Sequence, residues 1–160
     1  MNKNQYSKRY FLTLLMAMSL NILPLSNTIK SLNPDWVLLI LIYWTLAVPE
    51  RVGVFNAWIL GIFVDVLTGR IFGMHGLIYA LVNFTCLKFH RRLRHYPVLQ
   101  QALFVFFCLL FSQVLVFWIE NIQGATGLTW LFWLPVLTGT VCWPFIYAGL
   151  RWIRLLGRIS

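Results

Sequence analysis

Residues 101–119 read QALFVFFCLLFSQVLVFWI, nineteen residues with no charge on any face of a helix. A helix of a soluble domain keeps a polar face toward water, whereas one that is apolar all round is buried in a large core or in lipid. A bilayer core about 30 Å thick takes about 20 apolar residues of helix, which is the length of this run. Comparable runs flank it at Tyr10–Ile29, Trp36–Val48, Val54–Thr68, Phe72–Phe89 and Trp130–Ile153. The chain of 160 residues is 60% apolar and 11% charged, against roughly 45–50% and about 25% in an ordinary soluble domain. Six crossings would use about 120 residues and leave only short connections. The expected fold is therefore an all-α integral membrane protein, a single transmembrane domain over 1–160. Its six helices span about 10–29, 35–49, 53–68, 72–89, 100–119 and 130–153.

The first run follows Lys3, Lys8 and Arg9 in the manner of a signal peptide, but it continues past the small residues Ala17 and Ser19 and further runs follow. An uncleaved first span is expected. The second run is short, bounded by Pro34 and Pro49, and crosses only if its flanks contribute. Only Gly69-Arg70-Ile71 separates the third run from the fourth, a link that demands an antiparallel hairpin. Pro135 and Pro144 fall inside the sixth run, and a kink is expected near Pro144.

A net charge of +9 in a soluble protein would point to nucleic acid, but here the cations form collars between apolar runs. Lysine and arginine accumulate on the cytoplasmic side of membrane proteins. With six spans and both termini cytoplasmic, that side holds Lys3, Lys8, Arg9, Arg51, Lys88, Arg91, Arg92, Arg94, Arg151, Arg154 and Arg158, leaving Lys30 and Arg70 outside. A five-span arrangement would put one terminal cluster on the wrong side. Tryptophan favours the membrane–water interface, which places Trp36, Trp118, Trp130 and Trp133 at the outer ends of spans and Trp44, Trp58 and Trp152 at the inner ends. Trp143 alone sits deeper. The collar of Lys88, Arg91, Arg92 and Arg94 is suited to anionic membrane lipids or an acidic partner face.

Few residues offer chemistry. Asp35, Glu50 and Glu120 read as loop acids, which leaves Asp65 as the one acid within a span. Ala57, Gly61, Asp65 and Gly69 recur every four positions and form one small-residue stripe along which another helix can approach closely. A membrane acid is costly and is poorly placed at the carboxy end of its own helix, so Asp65 needs a donor. Arg70, His75, Tyr79 and Asn83 are the nearest candidates. The alternatives for Asp65 are a buried hydrogen bond ordering spans three and four, a partner contact, or a proton or ion relay. Ser112 and Gln113, mid-span, are expected to hydrogen-bond across helices. Cys86, Cys108 and Cys142 read as small buried hydrophobes, and Asn83-Phe-Thr85 as a chance match to a glycosylation site. No metal cluster, phosphate loop, catalytic carboxylate pair or nucleophile motif occurs. The chain is not expected to be an enzyme or to carry a cofactor.

These residues resemble the MreD family of rod shape-determining membrane proteins, in its Gram-negative form. The resemblance rests on Asn33-Pro34-Asp35-Trp36 with the apolar run to Trp44, on Val48-Pro49-Glu50-Arg51-Val52-Gly53, on the Gly61, Asp65, Gly69, Gly73 series, and on Trp143-Pro144. It implies a non-enzymatic, multi-pass inner-membrane scaffold of the cell-wall elongation complex. Implied partners are an MreC-like bitopic protein, MreB filaments, the glycosyltransferase RodA and its penicillin-binding transpeptidase, with no nucleic acid. Gly61, Asp65, Gly69, Gly73, Asn33, Pro34, Asp35 and Pro144 become the candidate packing or partner-docking positions. The family also implies a fold similar to the substrate-binding component of energy-coupling-factor transporters, so the alternative function is a small-molecule transporter subunit. That alternative requires convergent polar groups at the outer side or midplane, and few are expected from the sequence.

Overall fold

The computed structural model describes residues 3–124 and 129–159, with the backbone alone at residue 3 and at 157–159. The Lys3 and Arg158 side chains of the basic set fall outside it. The described residues form helices joined by turns and loops, without strands: α1 (Lys3–Ile22), α2 (Asn27–Leu32), α3 (Trp36–Ala47), α4 (Val54–Thr68), α5 (Met74–Leu93), α6 (Val98–Ile122), a 3-10 turn (Trp130–Trp133) and α7 (Leu134–Ile159). The α6 segment and the segment Trp130–Leu156 are long and apolar enough to cross a membrane, with mean hydropathies of 2.5 and 1.4.

The expected first span, 10–29, is not one helix. It starts earlier and stops at Ile22, and a separate α2 follows. Pro24 is the cause: it lacks the amide a continuing helix would use, and it steers Leu23 away from helical backbone. Pro135 lies at the second position of α7, in the first turn, where proline is tolerated. Pro144 lies inside the helix.

The centre is α3. Its residues Val37 to Leu46 are all buried, because α1, α5 and α7 pack around it. That enclosure explains why the sequence of α3 has no polar face. At 12 residues it is about 18 Å long, well short of a bilayer core. Asp35 caps its start, accepting from the Leu38 amide at 3.2 Å. Its far end is closed by Arg94, whose Nε donates to the Leu46 carbonyl at 2.8 Å and Nη2 to that of Ala47 at 2.6 Å. One residue of the basic collar thus serves a helix terminus.

The antiparallel α4–α5 hairpin packs most closely. A Cβ at Gly61 would overlap the backbone of His75 and Gly76, so the two helices meet at backbone distance there. The α6–α7 pair flanks α5 and α3. At one end of the bundle, Arg9 of α1 donates to the Ile153 carbonyl of α7 at 2.6 Å. Trp44 is not an interfacial residue: it is 1% exposed and donates to the Thr13 hydroxyl at 3.0 Å, joining α3 to α1 in the core. Trp58, Trp118, Trp130 and Trp152 are exposed.

Candidate functional site

Asp35 and Asp65 meet the start of α5 at the bundle end opposite the basic collar. Asp65 lies in the last turn of α4, which stops at Gly69 in left-handed backbone, φ 66°. The chain turns through Gly73, φ 94°, into α5. Gly69 and Gly73 are used for these conformations, which glycine adopts without steric cost, and a Cβ at either would meet no neighbour.

Gly73 occupies the cap position of α5 and has no side chain to serve the free amides that follow. Asp65 supplies the acceptor from the neighbouring helix. Its Oδ2 accepts from the amides of Gly73 and His75, each at 3.0 Å, and its Oδ1 lies 2.7 Å from His75 Nδ1. The residue is 1% exposed. The difficulty of an acid at the wrong end of α4 is thereby resolved, since its carboxylate sits at the favourable amino end of α5.

The other three candidate donors bind elsewhere. Arg70 pairs with Glu120 of α6 at 3.1 Å. Tyr79 donates to Asp35, its hydroxyl 2.8 Å from both carboxylate oxygens, so Asp35 is not a free loop acid but a half-buried hinge between α3 and α5. The Asn83 amide donates to the Val52 carbonyl at 3.3 Å, and its carbonyl accepts from Thr45. His75, Tyr79 and Asn83 follow each other at intervals of four on one face of α5, a polar stripe that reaches α4 through Asp65 and α3 through Asp35 and Thr45. The spacing was the available signal, and it pairs with the small-residue stripe of α4.

Beside this stripe opens a cavity of about 800 Å³, to which Asn33, Asp35, Arg70, His75, Ser112 and Gln113 contribute. Convergent polar groups are thus more numerous here than the sequence led us to expect. Gln113 donates to the Phe132 carbonyl at 2.8 Å across helices, as expected of a mid-span amide. Ser112 is 7% exposed and faces the cavity without a hydrogen bond among the described residues. Among those residues no cluster of three or more metal-ligating side chains occurs. Pro34 is buried beside Asp35, while Lys88, Arg91 and Arg92 are exposed at the far end of α5.

The profile of rod shape-determining protein MreD matches residues 5–153. The chain belongs to the MreD family. It is 27% identical over 139 residues to the rod shape-determining protein MreD of Haemophilus influenzae, covering 87% of this chain and 86% of that one. No solved structure matches. The matched span takes in α3, α4, α5 and α6, the helices that hold Asp35, Asp65, His75 and Ser112.

Proposed function

We propose that the chain is a non-enzymatic, multi-pass inner-membrane component of the cell-wall elongation complex. In this reading it docks an MreC-like bitopic protein and couples it, directly or through that partner, to MreB filaments, RodA and its penicillin-binding transpeptidase. Family membership across residues 5–153 carries the reading. The geometry supports it: the connections between helices are short, so lateral helix faces and the two bundle ends are the surfaces available to a partner. The polar groups around Asp65 are engaged in holding α4, α5 and α3 together, which suits a rigid docking body. Depletion should round the cells, and detergent extraction should recover the MreC-like protein with this chain. Unchanged cell shape on depletion would remove the assignment.

A second reading, a substrate-binding subunit of a small-molecule transporter, is favoured by the 800 Å³ cavity, a volume within the range of ligand pockets. Protein purified with a stoichiometric small molecule and no bitopic partner would support it over the scaffold.

A further inference from the structure

The basic end of the bundle holds a second cavity, of about 390 Å³, among α1, α3, α6 and α7 and the segment after α5. Two buried polar atoms at this cavity lack partners among the described residues: the hydroxyl of Tyr43 and Oε1 of Gln101. Tyr43 is 2% exposed and Gln101 3%. Such orphans are rare in folded proteins, because each leaves a desolvation cost uncompensated. Gln101 is held in place by its other atom, Nε2, which donates to the Leu93 carbonyl at 2.8 Å, so Oε1 is a fixed acceptor.

Two guanidinium groups border the same space. Arg154 stacks over the Tyr43 ring, 5.9 Å from its centroid, and makes no ion pair among the described residues. Arg94 is oriented by the Leu46 and Ala47 carbonyls. No carboxylate lines the cavity among those residues. Beside Tyr6 and Tyr147, the space therefore presents two cations and the unpartnered Tyr43 hydroxyl, which together call for an anion with several acceptor oxygens, and one unpartnered acceptor, which calls for a donor on the same ligand. Guanidinium groups match phosphate oxygens in geometry as well as charge.

We propose that this cavity binds a phosphate ester bearing a hydroxyl group. The phosphate sits between Arg154, Arg94 and the Tyr43 hydroxyl, and the ligand's hydroxyl donates to Gln101 Oε1. Two sources carry this chemistry, the head group of phosphatidylglycerol and a soluble glycerol phosphate. The lipid source rests on the membrane embedding proposed above; the site chemistry does not.

The test uses the full chain purified in a neutral detergent. Native mass spectrometry and thermal unfolding are read with added phosphatidylglycerol, phosphatidylcholine, glycerol 3-phosphate and glycerol. The expected result is retention of phosphatidylglycerol, glycerol 3-phosphate or both at least tenfold above the phosphatidylcholine and glycerol controls, and the arm that responds identifies the source. Tyr43→Phe removes a hydroxyl with no partner among the described residues and should leave unfolding without ligand unchanged, yet weaken retention severalfold. Arg154→Gln should abolish selectivity, and Arg154→Lys should keep part of it. Equal retention of phosphatidylglycerol and phosphatidylcholine by the unaltered chain, with no response to glycerol 3-phosphate, overturns the proposal without reference to any variant. That result beside intact capture of the bitopic partner would leave the proposed function standing; loss of capture with phosphate binding intact would do the reverse.

Discussion

Asp65 is where the residue scale decides most. Its carboxylate is the acceptor for two backbone amides and an imidazole at the start of α5, so its removal strands donors in a site closed to solvent. Leaving a buried donor unpaired costs about 1–3 kcal/mol. Asp65→Leu should therefore lower stability by at least that amount and abolish rod shape or partner capture. Asp65→Asn keeps one acceptor oxygen and should fall between, with partial complementation. Thermal unfolding in detergent, read beside cell shape at matched protein level, checks both; full function of Asp65→Leu at normal level would sink the role assigned to the side chain. The need for a donor to Asp65 was legible in the sequence, and His75 stood among four candidates. That Asp35 belongs to the same polar cluster was not, because 44 positions separate it from Tyr79 and a residue just before a helix reads as solvated until its neighbours are placed.

At the scale of the element, the α4–α5 hairpin follows from its short link and small-residue stripe, and both were readable. The stripe's partner was less so: Gly76 looks like any helical glycine until Gly61 is laid against it. A side chain inserted at such a contact forces backbone shifts costing about 1–3 kcal/mol. Gly61→Ala should accordingly cost about that much in unfolding free energy, whereas Gly53→Ala, where a Cβ meets nothing, should cost less than 1 kcal/mol. Equal effects would show that the helices do not approach as described. Hydropathy alone runs the first span unbroken through residue 29, whereas Pro24 divides it into α1 and α2. The all-apolar α3 resembles a short crossing in sequence because enclosure by other helices and enclosure by lipid leave the same signature. Arg94 distinguishes the two, since it ties the end of α3 to protein. Arg94→Ala should lower the melting temperature by several degrees, from the loss of two carbonyl contacts worth about 1–2 kcal/mol, and Arg91→Ala, exposed on the same collar, should not.

For the whole molecule, charge follows helix direction. Asp35 and Asp65 sit at the amino ends of α3 and α5, and the last turn of α5 carries His90, Arg91 and Arg92, the placements that helix dipoles favour. The result is a bundle with Asp35, Asp65 and Glu120 at one end and nearly all its cations at the other. In a membrane such an object has one favoured orientation, basic end inward. Cysteines placed by Glu50→Cys and Gln123→Cys in a background lacking Cys86, Cys108 and Cys142 lie at opposite ends of the bundle. An impermeant maleimide applied to intact spheroplasts should label position 123 and leave position 50 unreacted until the membrane is opened. Labelling at position 50 from outside would mean the inverse orientation, with the proposed phosphate site on the far side from the cytoplasm and the 800 Å³ cavity facing it.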